Sequence, residues 1–87
     1  MKLVIAILKD DDTETVVQAL TAQDFRATRV ASTGGFFHKG STTLLVGVDD
    51  KQLEAAIDVI RKNTAQVTPG EKRATVFVVP VERFEQL

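Results

Sequence analysis

Three short segments of this sequence are apolar at consecutive positions, and they restrict the possible folds more than any other feature. Residues 3–8, 44–46 and 76–79 consist of aliphatic or aromatic side chains, whereas a strand with one face in water would alternate apolar and polar residues. The first run has only six residues, too few for a signal peptide core or a membrane span. We therefore expect strands of a sheet that is covered on both faces.

A first helix is predicted directly after the first strand. It follows the acidic residues 10–12 and should extend to about Asp24, with Asp11 and Glu14 spaced as a capping box. Capping and a favourable position in the helix dipole explain the clustered aspartates without a metal ion. The residues expected to form the buried stripe of this helix are Val16, Val17 and Leu20.

A second helix is predicted after residues 49–50. Asp49 and Gln52 have the spacing of another capping box, and Arg61 and Lys62 suit the C-terminal end of a helix dipole. Apolar positions repeat at i, i+3, i+4 and i+7, and these are Leu53, Ala56, Ile57 and Ile60.

The remaining strands are predicted at residues 25–33, 41–48 and 74–79, with a loop at 63–73. The order βαββαβ is that of an α+β, ferredoxin-like fold: a four-stranded antiparallel sheet with two helices on one face, forming one domain over residues 1–87. Because two helices cover only one face, a second copy of the chain is expected to cover the other.

Composition narrows the classes of function. The 11 basic and 12 acidic residues are mixed along the chain, so no surface for DNA, RNA or a membrane is expected. There is no cysteine, which excludes disulfides and thiolate chemistry and agrees with a reducing compartment. We therefore expect a cytoplasmic protein.

The loop between the second and third predicted strands has the composition of a ligand-binding loop. Gly34, Gly35 and Gly40 permit positive φ and close approach of a ligand to backbone N–H groups. Phe36 and Phe37 cannot both enter a core from the tip of a short loop, so at least one should contact a ligand or a neighbouring subunit. Such a loop suits an anionic, aromatic ligand.

The strand before this loop carries two arginines. Arg26 and Thr28 alternate onto one face, where a guanidinium and a hydroxyl could hold a phosphate or a base edge. The alternative is that Arg26 and Arg29 are simply solvated strand residues.

The sequence shows no catalytic constellation. His38 is the only histidine and has no carboxylate or second histidine near it in sequence, and Ser41, Thr42 and Thr43 have no apparent base. Acylphosphatase shares the βαββαβ order, but it cradles phosphate in the loop after its first strand, where this chain has the acidic residues 10–12. We expect no enzyme, no metal and no cofactor.

Five segments, in the same order, resemble the PII-like cyclic-di-AMP receptors of Gram-positive bacteria. The most specific are the F-R-A-T and T-G-G-F motifs, and the full set is residues 1–7, 24–28, 32–36, 40–43 and 74–78. The resemblance implies a signal transduction protein with a ferredoxin-like homotrimer, one cyclic dinucleotide in each cleft between subunits, and an unknown downstream protein partner.

The resemblance also implies the ligand-binding residues. They are Asp24, Arg26, Ala27, Thr28, Gly34, Gly35, Phe36, Phe37, Ser41 and Gly47. The family usually has asparagine at the positions of Asp24 and Ser41 and a longer loop in place of residues 63–73, which is here predicted to be a compact turn. The alternative functions are a PII-like trimer that binds another nucleotide or a small anion, or one that acts only through protein–protein contacts.

Overall fold

A computed structural model describes residues 1–30, 40–64 and 72–87. It confirms the predicted order of elements. These are β1 (Lys2–Lys9), α1 (Asp10–Ala22), β2 (Ala27–Val30), β3 (Ser41–Val48), a single 3-10 turn (Asp50–Gln52), α2 (Leu53–Lys62) and β4 (Ala74–Pro80). The predicted loop at 63–73 and the end of the second predicted strand lie largely outside the described residues.

The four strands form one antiparallel sheet in the order β2-β3-β1-β4. At its centre Ile5 of β1 pairs with Leu45 of β3 on one side and with Phe77 of β4 on the other. With two helices connecting the strands, this is the predicted ferredoxin-like α+β fold.

One face of the sheet packs against both helices and forms the core. Strand residues that alternate along β1 and β3 meet Val16 and Leu20 of α1 and Ile60 of α2. The fully or nearly fully buried strand residues are Val4, Ala6, Leu8, Leu44, Val46 and Val48. In α2, Val59 is buried as well, whereas the predicted Ile57 is only half-buried. No helix within the described ranges is long and apolar enough to cross a membrane.

The opposite face of the sheet stays partly open. Leu3, Ile5 and Ile7 are half-buried there, and their partners on β4 include Phe77, which is 54% exposed, and Val79, which is 40% exposed. The strands are thus apolar on both faces, as expected, while the helices cover one. We refer to this second surface as the open face.

Both predicted capping boxes are wrong. Helix α1 begins at Asp10 with Lys9 as its N-cap and no side-chain cap, because the chain passes directly from β1 into the helix. Asp10, Asp11 and Asp12 therefore fall in the first turn, where acidic groups interact favourably with the helix dipole without capping. The Thr13 hydroxyl donates to the Lys9 carbonyl oxygen at 3.1 Å.

The second helix also begins differently from the prediction. The 3-10 turn that starts at Asp50 separates Asp49 from α2, and neither Asp49 nor Gln52 makes a side-chain cap. Asp50 is instead paired with the α-amino group of Met1 at 3.1 Å and with the Lys2 ammonium at 3.6 Å. The hydrogen bond from the Met1 ammonium, together with the charge of Lys2, lowers the pKa of the Asp50 carboxyl.

Candidate ligand-binding site

The turn from α1 into β2 fixes the position of the predicted ligand-binding strand. Asp24 has a φ of +65°, its N–H donates to the Thr21 carbonyl at 3.0 Å, and the Phe25 N–H donates to the Leu20 carbonyl at 3.0 Å. This pair of hydrogen bonds is the Schellman motif, in which glycine usually occupies the left-handed position. Because Phe25 is buried in the core, the position of the following residue, Arg26, is fixed relative to the sheet.

Beside this turn, at the β2 and β3 side of the open face, lies a cavity of about 630 Å³. Four of the predicted ligand-binding residues line it together, namely Asp24, Arg26, Thr28 and Gly47. The other lining residues are Met1, Leu3, Leu45, Val81, Phe84 and Gln86. We call this space the β2–β3 cavity.

The strand register explains which side chains reach the β2–β3 cavity. Thr28 pairs with Leu45, and both line the cavity, whereas Ala27 pairs with the buried Val46. Because neighbouring residues of a strand point to opposite faces, the Ala27 side chain packs against the core. The methyl group of the predicted ligand residue Ala27 therefore does not enter the cavity.

The two arginines of this segment have different surroundings. Arg29 lies on the helix side and forms an ion pair with Glu14 of α1, with 2.9 Å between nitrogen and oxygen. The hydrogen bond and charge of Arg29 lower the pKa of the Glu14 carboxyl. Arg26 lines the cavity, and it forms no ion pair with any residue that the structure describes. Arg26 is thus the arginine available to an anionic ligand.

At Gly47 the backbone is approached closely by another side chain. A Cβ atom placed on Gly47 would lie 3.1 Å from Cε of Met1, which is tighter than ordinary van der Waals contact. Met1 is itself held by the Val81 N–H, which donates to the Met1 carbonyl at 3.1 Å. A methyl group at position 47 would therefore push Cε of Met1 aside by a few tenths of an ångström.

Ser41 lies at the other end of β3. It is six residues from Gly47, or about 20 Å along an extended strand. Ser41 borders a different cavity of about 850 Å³, together with Lys9, Lys72 and Arg73. Within one chain, the structure does not bring Ser41 together with Arg26 and Thr28. The remaining predicted site residues, Gly34, Gly35, Phe36 and Phe37, lie outside the described residues, as does His38.

The acidic start of α1 is tied to the beginning of β3. The Asp10 N–H donates to the Gly40 carbonyl at 2.6 Å, and the Thr42 hydroxyl donates to the Asp10 carboxylate. Gly40 has a φ of +83°, a conformation that favours glycine, as the loop composition indicated. Within residues 1–30, 40–64 and 72–87 no three metal-ligating side chains come together.

Sequence reasoning missed the C-terminal part of the site. Val81, Phe84 and Gln86 follow the last strand in a polar segment with no periodicity, and only the folded chain places them against β2 and β3. The signal available in the sequence was an aromatic residue, Phe84, in the polar segment after Pro80.

The comparisons with known proteins agree with the resemblance in the sequence. Residues 1–70 match the cyclic-di-AMP receptor family, and the chain belongs to this family. The crystal structure of a functionally unknown protein from Pediococcus pentosaceus is similar over nearly the whole molecule. The two chains are 34% identical, with a TM-score of 0.80, and the similarity covers 99% of this chain and 96% of that one. The family match includes the predicted ligand-binding residues from Asp24 to Gly47, whereas β4 and the C-terminal segment lie beyond it.

Proposed function

We propose that this protein is a PII-like signal transduction receptor of the cytoplasm, which binds cyclic-di-AMP in clefts between the subunits of a homotrimer. The observation that carries the proposal is the β2–β3 cavity, which collects Arg26, Thr28 and Gly47 on the open face. Membership of the cyclic-di-AMP receptor family gives the ligand class. Binding would alter loop conformation and thereby act on a downstream protein, and the ligand would be released unchanged.

The chemistry of the cavity suits a cyclic dinucleotide. The Arg26 guanidinium can donate two parallel hydrogen bonds to a phosphate, and the Thr28 hydroxyl can donate a further one. The space that a side chain at position 47 would need is bordered by Cε of Met1, so a ligand would reach the Gly47 backbone by moving the flexible Met1 side chain. Leu3 and Leu45 supply apolar surface for the bases.

The position of Ser41 supports a site between subunits. Ser41 and Gly47 are about 20 Å apart on one strand, so a single ligand that contacts both would take Ser41 from a neighbouring chain.

The open face supports the same arrangement of subunits. Phe77, Val79 and the half-buried residues of β1 form an apolar surface that a second and third copy would cover.

Isothermal titration with cyclic-di-AMP, cyclic-di-GMP and ATP tests the proposal. We expect binding of cyclic-di-AMP with three ligands per trimer and weaker binding of the other two. No heat with either cyclic dinucleotide at high micromolar concentration would contradict the sensor function. Binding of ATP alone would replace it with the alternative of a trimer for another nucleotide.

A further inference from the structure

The C-terminal segment, residues 81–87, forms one wall of the β2–β3 cavity. Its contribution consists of Val81, Phe84 and Gln86. Phe84 is 63% exposed although it lines the cavity, so most of the residue is presented to solvent. An aromatic ring in that position has a large apolar surface that only a further group can cover.

We infer that Phe84 is a base-stacking residue of the ligand site, an inference that rests on the proposed function. Thr28 lines the cavity from β2, Arg26 lines it from the position just before that strand, and Phe84 lines it from the C-terminal segment. A nucleotide held by its phosphate at Arg26 would place its base in the cavity that the Phe84 ring also lines. Stacking accepts any base and adds affinity, while the charged contact fixes the phosphate.

The attachment of the segment allows the ring to adjust to a ligand. The Val81 N–H donates to the Met1 carbonyl at 3.1 Å, and this is the one backbone hydrogen bond that residues 81–87 make in the described part of the chain. Farther along, the ion pair between Arg83 and Glu85 lies within the segment itself. Phe84 therefore sits on a segment with little hydrogen bonding to the fold, and a stacked base would add a contact that holds it.

Substitution of Phe84 gives the first test. Phe84→Ala should raise the dissociation constant for cyclic-di-AMP roughly 5- to 150-fold. Phe84→Trp should keep wild-type affinity or exceed it, because it retains an aromatic face. Leu87→Ala is the matched control, since Leu87 is a fully exposed apolar residue of the same segment that does not line the cavity. The exposure of Phe84 means that thermal unfolding should be the same for all four proteins.

Trypsin cleavage after Arg83 gives a second readout that does not depend on affinity differences. Arg83 is exposed, and bound cyclic-di-AMP should slow cleavage at this bond in wild type and in Leu87→Ala, but not in Phe84→Ala at saturating ligand. If wild type binds and Phe84→Ala matches Leu87→Ala in both assays, the stacking role is wrong while the proposed function stands. If wild type binds no cyclic dinucleotide, both are overturned.

Discussion

Replacing Asp24 by asparagine should strengthen binding of cyclic-di-AMP. The Asp24 carboxylate lines the same cavity as Arg26, so it would repel a phosphate held there. A sphere of 630 Å³ has a radius of about 5 Å, and two unit charges at that distance interact by roughly 0.8 kcal/mol in water and 3.3 kcal/mol at an effective dielectric constant of 20. Because Asp24 is exposed in the single chain, the lower figure sets the minimum, and we expect an affinity gain of at least about fourfold.

The backbone conformation of Asp24 determines which variants can serve as controls. Asp24 has a φ of +65°, which asparagine and glycine adopt readily and alanine does not. Asp24→Gly should gain affinity from the lost charge without perturbing the turn. Asp24→Ala loses the same charge but should cost about 1 kcal/mol of folding free energy, a fall of roughly 4–8 °C in Tm for a domain of this size.

Calorimetric titration at two salt concentrations measures the effect. The difference between wild type and Asp24→Asn should shrink at high salt, because salt screens the repulsion between exposed charges. If both Asp24→Asn and Asp24→Gly bind more weakly than wild type, the reasoning is refuted. The carboxylate would then accept a hydrogen bond from the ligand that outweighs its repulsion.

Three further results are expected. Arg26→Ala should weaken cyclic-di-AMP binding by roughly 10- to 150-fold, since it removes charge-assisted hydrogen bonds of ~1.5–3 kcal/mol, whereas Arg29→Ala on the helix side should bind as wild type does. Light scattering should give the mass of three subunits at micromolar concentration and a smaller mass for Ile5→Lys on the open face; a monodisperse wild-type monomer would contradict the trimer. In Arg29→Ala the pKa of Glu14 should rise towards its ordinary value in an NMR titration. The ion pair with Arg29 lowers the pKa of Glu14 in the folded state. Its contribution to folding stability is therefore present at pH values above the ordinary pKa of Glu14 and is lost as pH falls through the lowered pKa.

The sequence predicted the elements that have a clear apolar pattern. Strands β1 and β3 lie where continuous apolar runs placed them, and α2 lies where apolar residues repeat at helical spacing, because burial against a core requires these patterns. The helix starts could not be predicted in the same way. Asp11 and Asp49 have capping spacing, but the path of the chain from β1 to α1, and the pairing of Asp50 with Met1, decide what those side chains do.

Six of the ten residues that line the β2–β3 cavity were not predicted from the sequence, for a related reason. Arg26 and Thr28 were identified because alternation along a strand is a local property. Phe84 joins them only through the path of the chain after β4, and Ser41 is separated from them by the length of β3. The Schellman turn was hidden because the residue at positive φ is Asp24 and not the usual glycine.

The alternation along β3 also separates two structural roles on one strand. Leu44, Val46 and Val48 belong to the core, whereas Leu45 and Gly47 line the cavity from the opposite face of the same strand. A substitution at Leu45 or Gly47 can therefore change which ligand the cavity accepts, while the even-numbered residues keep the core packing that stabilises the fold. A scaffold with this division can diversify its ligand preference by single substitutions, and an engineer seeking a biosensor for a related nucleotide would vary Leu45 and leave the even-numbered positions of β3 unchanged.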